Sequence, residues 1–79
     1  MKAKVTVKLK SGVLDPQGKA IVHSAHTLGF TAIQEVRVGK VFEIDIETAD
    51  SQQAKAQLEQ LAGQLLANTV IENFSVEIL

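Results

Sequence analysis

In Val13-Leu14-Asp15-Pro16-Gln17-Gly18 the chain passes from a strand to a helix, and this stretch decides the fold. The carboxylate of Asp15 can accept hydrogen bonds from the first free N–H groups of a helix. Pro16 suits the first helical position, because the N–H that it lacks would have no partner there. The stretch therefore predicts a helix over residues 16–28, which Gly29 closes in the left-handed conformation.

Apolar and polar residues alternate on both sides of this helix. The alternation predicts four strands, over residues 3–10, 33–38, 41–47 and 74–78. Gly39-Lys40 is predicted to be the turn between the second and third strands. A second helix is predicted after the cap candidates of residues 48–51. Its apolar positions recur at steps of four, three and four residues, at Ala54, Leu58, Leu61 and Leu65.

The predicted order is strand, helix, strand, repeated once, over a single domain of residues 1–79. This order is typical of the ferredoxin-like (split βαβ) fold, an α+β two-layer sandwich with both helices on one face of a four-stranded antiparallel sheet. With the strand order 4-1-3-2, the polar faces of the first and third strands become neighbours. Opposite charges are then expected to meet across them: Lys4, Lys8 and Lys10 on one strand, and Glu43, Asp45 and Glu47 on the other.

Composition limits the chemistry that this chain can perform. It has no cysteine, which excludes disulfides, thiolate zinc sites and cysteine nucleophiles. A net charge of −1 and 4% aromatic residues give no general attraction to nucleic acid or anionic lipid. No segment reaches the roughly 20 apolar residues of a membrane span, so a cytoplasmic location is expected.

The small size of the chain predicts self-association. A domain of 79 residues hides only about 60–65% of the surface that its unfolded chain exposes, so its core is thin. The edges of the sheet, the second and fourth strands, can pair with another chain. We therefore expect a homodimer or a higher homo-oligomer that forms through an edge strand.

Two groups of side chains could suggest catalysis or metal binding, but neither is expected to form a catalytic or metal site. His23 and His26 lie three residues apart on the first helix, but a specific metal site needs three or four converging ligands. The carboxylates on the third strand are better explained as a solvated face opposite lysines than as an acid–base pair. The five glycines form no phosphate-binding loop. Accordingly, no catalytic, cofactor-binding or metal-binding residue is expected.

Two other functions known for this fold require residues that this chain does not have. RNA-recognition domains stack bases on aromatic rings of the central strands, where this chain places lysines and carboxylates. Acylphosphatases carry an arginine in the loop after the first strand, but Ser11-Gly12-Val13 contains none. The only arginine, Arg37, is expected at the hairpin between the second and third strands.

Residues along most of the chain match one known family. Besides residues 13–18, the matching segments are Leu28-Gly29-Phe30, Val36-Arg37-Val38-Gly39-Lys40, and Leu66-Ala67-Asn68 followed by Val70-Ile71-Glu72. From about Val5 to Phe74 the chain resembles the PurS family, the small subunit of bacterial and archaeal phosphoribosylformylglycinamidine (FGAM) synthase. The chain departs from the family pattern at Ser11, Thr69 and Val41-Phe42, which weakens the rigidity of turns and leaves the overall match intact.

The resemblance implies a noncatalytic subunit of a glutamine-dependent C–N ligase. Such proteins join a PurQ-type glutaminase subunit and an ATP-using PurL-type synthetase subunit. The complex converts formylglycinamide ribonucleotide, glutamine and ATP to FGAM, glutamate, ADP and phosphate in purine biosynthesis. The resemblance implies that this chain bridges the other two subunits and assists ammonia transfer, while ATP and Mg²⁺ belong to the synthetase. The residues it suggests for partner contact are Asp15, Gln17, Arg37, Lys40, Asn68 and Glu72.

Two alternative functions are a small-molecule-sensing module and a free-standing enzyme. Ferredoxin-like modules can sense small molecules between paired subunits, and saturable heats in calorimetry with amino acids or nucleotides would identify such a module. A free-standing enzyme would require a nucleophile, a base and an oxyanion donor in one place, and these residues supply no such set.

Overall fold

The computed structural model describes residues 1–79 and contains three strands and two helices. A single π-helical turn over Ala62–Leu66 extends the second helix. The elements in chain order are β1 (Lys2–Leu9), α1 (Pro16–Thr27), β2 (Gly39–Asp45), α2 (Ser51–Leu61) and β3 (Glu72–Ile78).

The sheet is antiparallel with the order β2-β1-β3, so β1 lies in the middle. Val5 of β1 lies opposite Phe42 on one side and Val76 on the other. Because side chains alternate between the two faces of a strand, these three residues share one apolar face. The face packs against α2 and the π-helical turn, where Val5, Val7 and Ala62 are completely buried. The core is thin, as the short chain predicts, with six buried apolar residues.

The predicted first helix is confirmed, but its position is not the one that the fold class predicts. Asp15 caps α1 and Pro16 begins it, while Gly29 follows it with a φ of 99°. However, α1 contributes no residue to the core. The chain measures 49 × 24 × 14 Å, and its radius of gyration is 16.0 Å, against about 12 Å for a compact domain of this length. Helix α1 therefore lies beside the sheet rather than on it.

The predicted four-stranded sheet is not formed within one chain. Residues 33–38, predicted as the second strand, form no regular secondary structure and pair with no other strand. Gly39-Lys40, predicted as a turn, instead begins β2, where Gly39 lies opposite Lys8. Because Gly39 and Lys40 belong to β2, no turn separates residues 33–38 from this strand. We call residues 33–38 the arm.

The predicted alignment of opposite charges is confirmed only for Lys4, because Lys8 lies opposite Gly39 and Asn73. Lys4 lies opposite Glu43 on β2 and Glu77 on β3. No ion pair forms between these exposed side chains. Lys10 and Glu47 lie outside the strands. The ion pairs that do form join the N-terminal ammonium to Asp45 at 3.5 Å and Lys40 to Glu72 at 3.9 Å.

Neither α1 nor α2 is long and apolar enough to cross a membrane.

Candidate functional site

Polar contacts concentrate at one end of the sheet, where β1 ends and both β2 and β3 begin. Val7 lies opposite Lys40, and Leu9 lies opposite Glu72. We call this region, together with the β1–α1 loop up to Asp15 and the end of the arm at Arg37, the polar end. Five of the six residues suggested for partner contact lie here, in two clusters. The sixth, Gln17, lies on the exposed surface of α1 beside an apolar groove.

Asp15 forms the first cluster by joining three segments. Its Oδ1 accepts a hydrogen bond from the N–H of Gly18 at 2.8 Å, and its Oδ2 accepts one from the N–H of Val38 at 2.7 Å. The carboxylate therefore caps α1 and also holds the arm against it. The hydrogen bonds from Val38 and Gly18 lower the pKa of Asp15; burial opposes them in part, and the positive charge of Arg37 adds a smaller lowering.

Arg37 belongs to the same cluster and ties down the β1–α1 loop. Its Nη1 donates to the carbonyl of Val13 at 2.7 Å, and its Nη2 donates to the carbonyl of Lys10 at 3.1 Å. The prediction that Arg37 sits on a distant hairpin is therefore wrong, because no hairpin forms at Gly39. Two of its donors are used inside the chain, which gives Arg37 a structural role in addition to any contact with a partner.

Lys40, Asn68 and Glu72 form the second cluster. The Oε1 of Glu72 accepts a hydrogen bond from the N–H of Asn68 at 2.7 Å, and its Oε2 lies 3.9 Å from the Lys40 ammonium. The side-chain oxygen of Asn68 accepts from the N–H of Val70 at 3.2 Å. These bonds fix the turn that leads into β3. Lys40 keeps 57% of its side chain exposed, so it remains available to an acidic partner.

A polar cleft of about 500 Å³ lies between α1 and the arm. Both histidines of α1 line it, together with Lys19, Glu35 and Arg37. The Nε2 of His26 lies 2.6 Å from the carbonyl oxygen of Ile33, so this histidine joins α1 to the arm. No three metal-ligating side chains converge anywhere in the chain. The arrangement can bind charged groups, but it brings together no nucleophile and base.

Contrary to what its sequence predicts, the apolar face of α1 does not pack on the core. Ile21, Ala25 and Leu28 recur along α1 at steps of four and three residues, a spacing that predicts a face packed on the core. However, Ile21 and Leu28 are 42% and 75% exposed, and the nearby Phe30 is 62% exposed. The periodicity correctly identifies an apolar stripe. The periodicity does not indicate which surface packs against that stripe.

Comparison with known proteins gives one consistent result. The family model "PurS: Phosphoribosylformylglycinamidine (FGAM) synthase" matches residues 2–79. The PurS subunit of phosphoribosylformylglycinamidine synthase from Bacillus subtilis is 43% identical over 77 residues, which cover 98% of this chain and 90% of that protein.

Two solved structures share the fold almost completely. PurS from Methanocaldococcus jannaschii, with 37% identity, matches with a TM-score of 0.88 over 96% of this chain and 92% of its own. A chain in the structure of PurLQS from Thermotoga maritima, with 26% identity, matches with a TM-score of 0.89 over 99% of this chain and 95% of its own. By its sequence and its fold, this chain belongs to the PurS family.

Proposed function

We propose that this chain is the noncatalytic PurS-type subunit of an FGAM synthase, the complex that makes FGAM from formylglycinamide ribonucleotide, glutamine and ATP. The family match over residues 2–79 carries this proposal. The related Thermotoga chain is found in a structure of PurLQS, which supports PurL-type and PurQ-type subunits as the partners. The cytoplasm is the proposed compartment.

We assign this chain a bridging role that assists ammonia transfer between the glutaminase and the synthetase. The chain offers separate polar surfaces for two partners. One is the exposed ammonium of Lys40 at the polar end, and the other is the cleft between α1 and the arm. ATP and Mg²⁺ are assigned to the synthetase subunit, because no glycine-rich phosphate loop is present in this chain.

Reconstitution from purified subunits tests the proposal. Synthesis of FGAM is measured with glutamine and, separately, with added ammonia, in the presence and absence of this chain. We expect glutamine-dependent synthesis to require the chain and ammonia-dependent synthesis to depend on it much less, since added ammonia needs no transfer between subunits. An inert protein at the same concentration is the control. Equal glutamine-dependent rates with and without the chain would disprove the proposal.

A further inference from the structure

The positive charge of Lys8 has no carboxylate opposite it in the sheet. The other two lysines on the exposed face of β1, Lys2 and Lys4, each lie opposite a carboxylate on β2. Lys8 instead lies opposite Gly39 on β2 and Asn73 on β3, and it takes part in neither ion pair of the chain. Because Lys8 is exposed, its ammonium group is available to a ligand.

Gly39 gives the Lys8 side chain room to lie beside a cavity. A Cβ at Gly39 would lie 3.1 Å from the Cγ of Lys8 and 2.9 Å from the carbonyl oxygen of Val7. The stem of Lys8 therefore lies against Gly39. Lys8 lines a cavity of about 430 Å³ together with Glu35 and Arg37 of the arm and with the turn that follows β1. We call it the Lys8 cavity.

The turn that follows β1 brings backbone donors to the Lys8 cavity. Ser11 and Gly12 of this turn line the cavity, and their N–H groups donate to no protein acceptor. Gly12 has a φ of 86°, which a residue with a side chain rarely adopts. Arg37 holds the turn through the carbonyl groups of Lys10 and Val13, and these two bonds leave other N–H donors of its guanidinium group free.

We propose that the Lys8 cavity binds a phosphate monoester such as a sugar phosphate. Lys8 and Arg37 supply two positive charges, and the N–H groups of Ser11 and Gly12 supply hydrogen bonds. These donors belong to β1, the turn and the arm, so they come from three segments of the chain. A phosphate group has three acceptor oxygens and can use donors from several directions, whereas a carboxylate has two oxygens in one plane. The volume of the cavity lies within the range of small-ligand sites.

The Lys8 cavity differs from a glycine-rich phosphate loop, because no residue of α1 lines it. It offers donors for a single phosphate group, so ATP stays assigned to the synthetase. The proposal goes beyond the assigned function and does not depend on it, since it concerns the isolated chain.

Glu35 is the one carboxylate that lines the Lys8 cavity. Its negative charge repels an anion and offsets part of the attraction from Lys8 and Arg37. Removing the charge of Lys8 should therefore weaken phosphate binding, whereas removing the charge of Glu35 should strengthen it. Neither change should alter the binding of an uncharged sugar.

NMR titration of the ¹⁵N-labelled chain with ribose 5-phosphate tests the site. The buffer contains no phosphate, and its ionic strength is held constant with chloride. We expect saturable shifts of the N–H signals of Ser11 and Gly12 with ribose 5-phosphate and none with ribose, the uncharged control. A lack of saturation with ribose 5-phosphate would overturn the proposal, and so would equal shifts with ribose.

Three variants locate the binding in the Lys8 cavity. Lys8→Met removes the charge but keeps an apolar stem against Gly39, and we expect ribose 5-phosphate to bind about tenfold more weakly. Lys4→Met is the matched control on the same face of β1, because Lys4 lies opposite Glu43, and its affinity should equal that of the natural chain. Equal affinities of Lys8→Met and Lys4→Met would overturn the proposal.

Glu35→Gln supplies an independent measurement on the arm. We expect it to bind ribose 5-phosphate about two- to fivefold more tightly than the natural chain, because the repulsion is removed. The positions of the remaining N–H signals verify that each variant keeps the fold. Unchanged or weaker binding by Glu35→Gln would contradict the placement of the anion in this cavity.

Discussion

The carboxylate of Asp15 accepts a hydrogen bond from the N–H of Val38 at 2.7 Å, across 23 positions of sequence. Its other oxygen caps α1 through Gly18. One side chain therefore fixes both the start of the helix and the direction of the arm. The Asp-Pro pair that the sequence identifies as a helix start is also the point at which α1 and the arm become one rigid unit.

Replacing Asp15 with Asn is expected to loosen this unit. The neutral amide accepts hydrogen bonds more weakly than the carboxylate, so the N–H of Val38 should exchange with solvent faster. Hydrogen exchange at Val38 and Gly18 measures the effect. Asp50→Asn is the matched control, because Asp50 caps α2 through Gln52 and Gln53 and bonds to no distant segment. Unchanged exchange at Val38 in Asp15→Asn would contradict the prediction.

Stability is expected to fall in acid because of the same carboxyl group. The pKa of Asp15 is lower in the folded chain than the ordinary value of 3.8, so the unfolded chain binds the proton more tightly. The stabilisation is complete above the ordinary value and is lost as the pH falls through the folded pKa. Melting temperatures between pH 7 and pH 2 should show an acid decline that is shallower in Asp15→Asn. An identical decline in the variant would assign the effect to other carboxyls.

Gly18→Ala should separate α1 from the arm. A Cβ at this position would collide with the carbonyl oxygen of Val36, which is backbone and cannot rotate away. We expect destabilisation of about 1–3 kcal/mol in chemical denaturation. Gly63→Ala is the control, since its Cβ would meet only the Phe74 ring at an ordinary 4.0 Å. Equal stabilities for the two variants would show that α1 and the arm are not in close contact.

Leu58→Ala tests the thin core. Leu58 is 2% exposed, and its truncation should lower the free energy of unfolding by about 2–5 kcal/mol through lost burial and a residual cavity. Leu79→Ala, at a residue that is 62% exposed, should change it by less than about 0.5 kcal/mol. Denaturant melts of both variants give the comparison. A small effect at Leu58 would mean that the core collapses to fill the space.

Lys40→Ala should separate partner binding from stability. The exposed pair with Glu72 at 3.9 Å contributes at most about 1 kcal/mol to folding. We expect the melting temperature to change little. The reconstituted complex should lose glutamine-dependent turnover, because Lys40 could no longer contact an acidic group of a partner subunit. Lys55→Ala, on the exposed surface of α2, is the matched control. Full glutamine-dependent turnover with Lys40→Ala would show that Lys40 is not needed for contact with a partner.

Residue patterns predict the local structure of this chain well. Asp15 and Pro16 place the start of α1 correctly, and alternation places all three paired strands within two residues of their observed bounds. The residues suggested for partner contact mostly gather at the polar end, although their roles within the chain, such as the two bonds of Arg37 to the β1–α1 loop, appear only in three dimensions.

By itself, the sequence determined which segments are helical or extended, which face of each is apolar, and the family to which the chain belongs. Only the tertiary structure decided where α1 lies and whether the chain turns at Gly39-Lys40. The physical reason is that helix caps and alternation act between neighbouring residues, whereas a Gly-Lys pair is compatible with either a turn or a strand. The choice between them depends on which distant backbone offers hydrogen bonds, and here Gly39 pairs with Lys8 near the end of β1 and becomes part of β2.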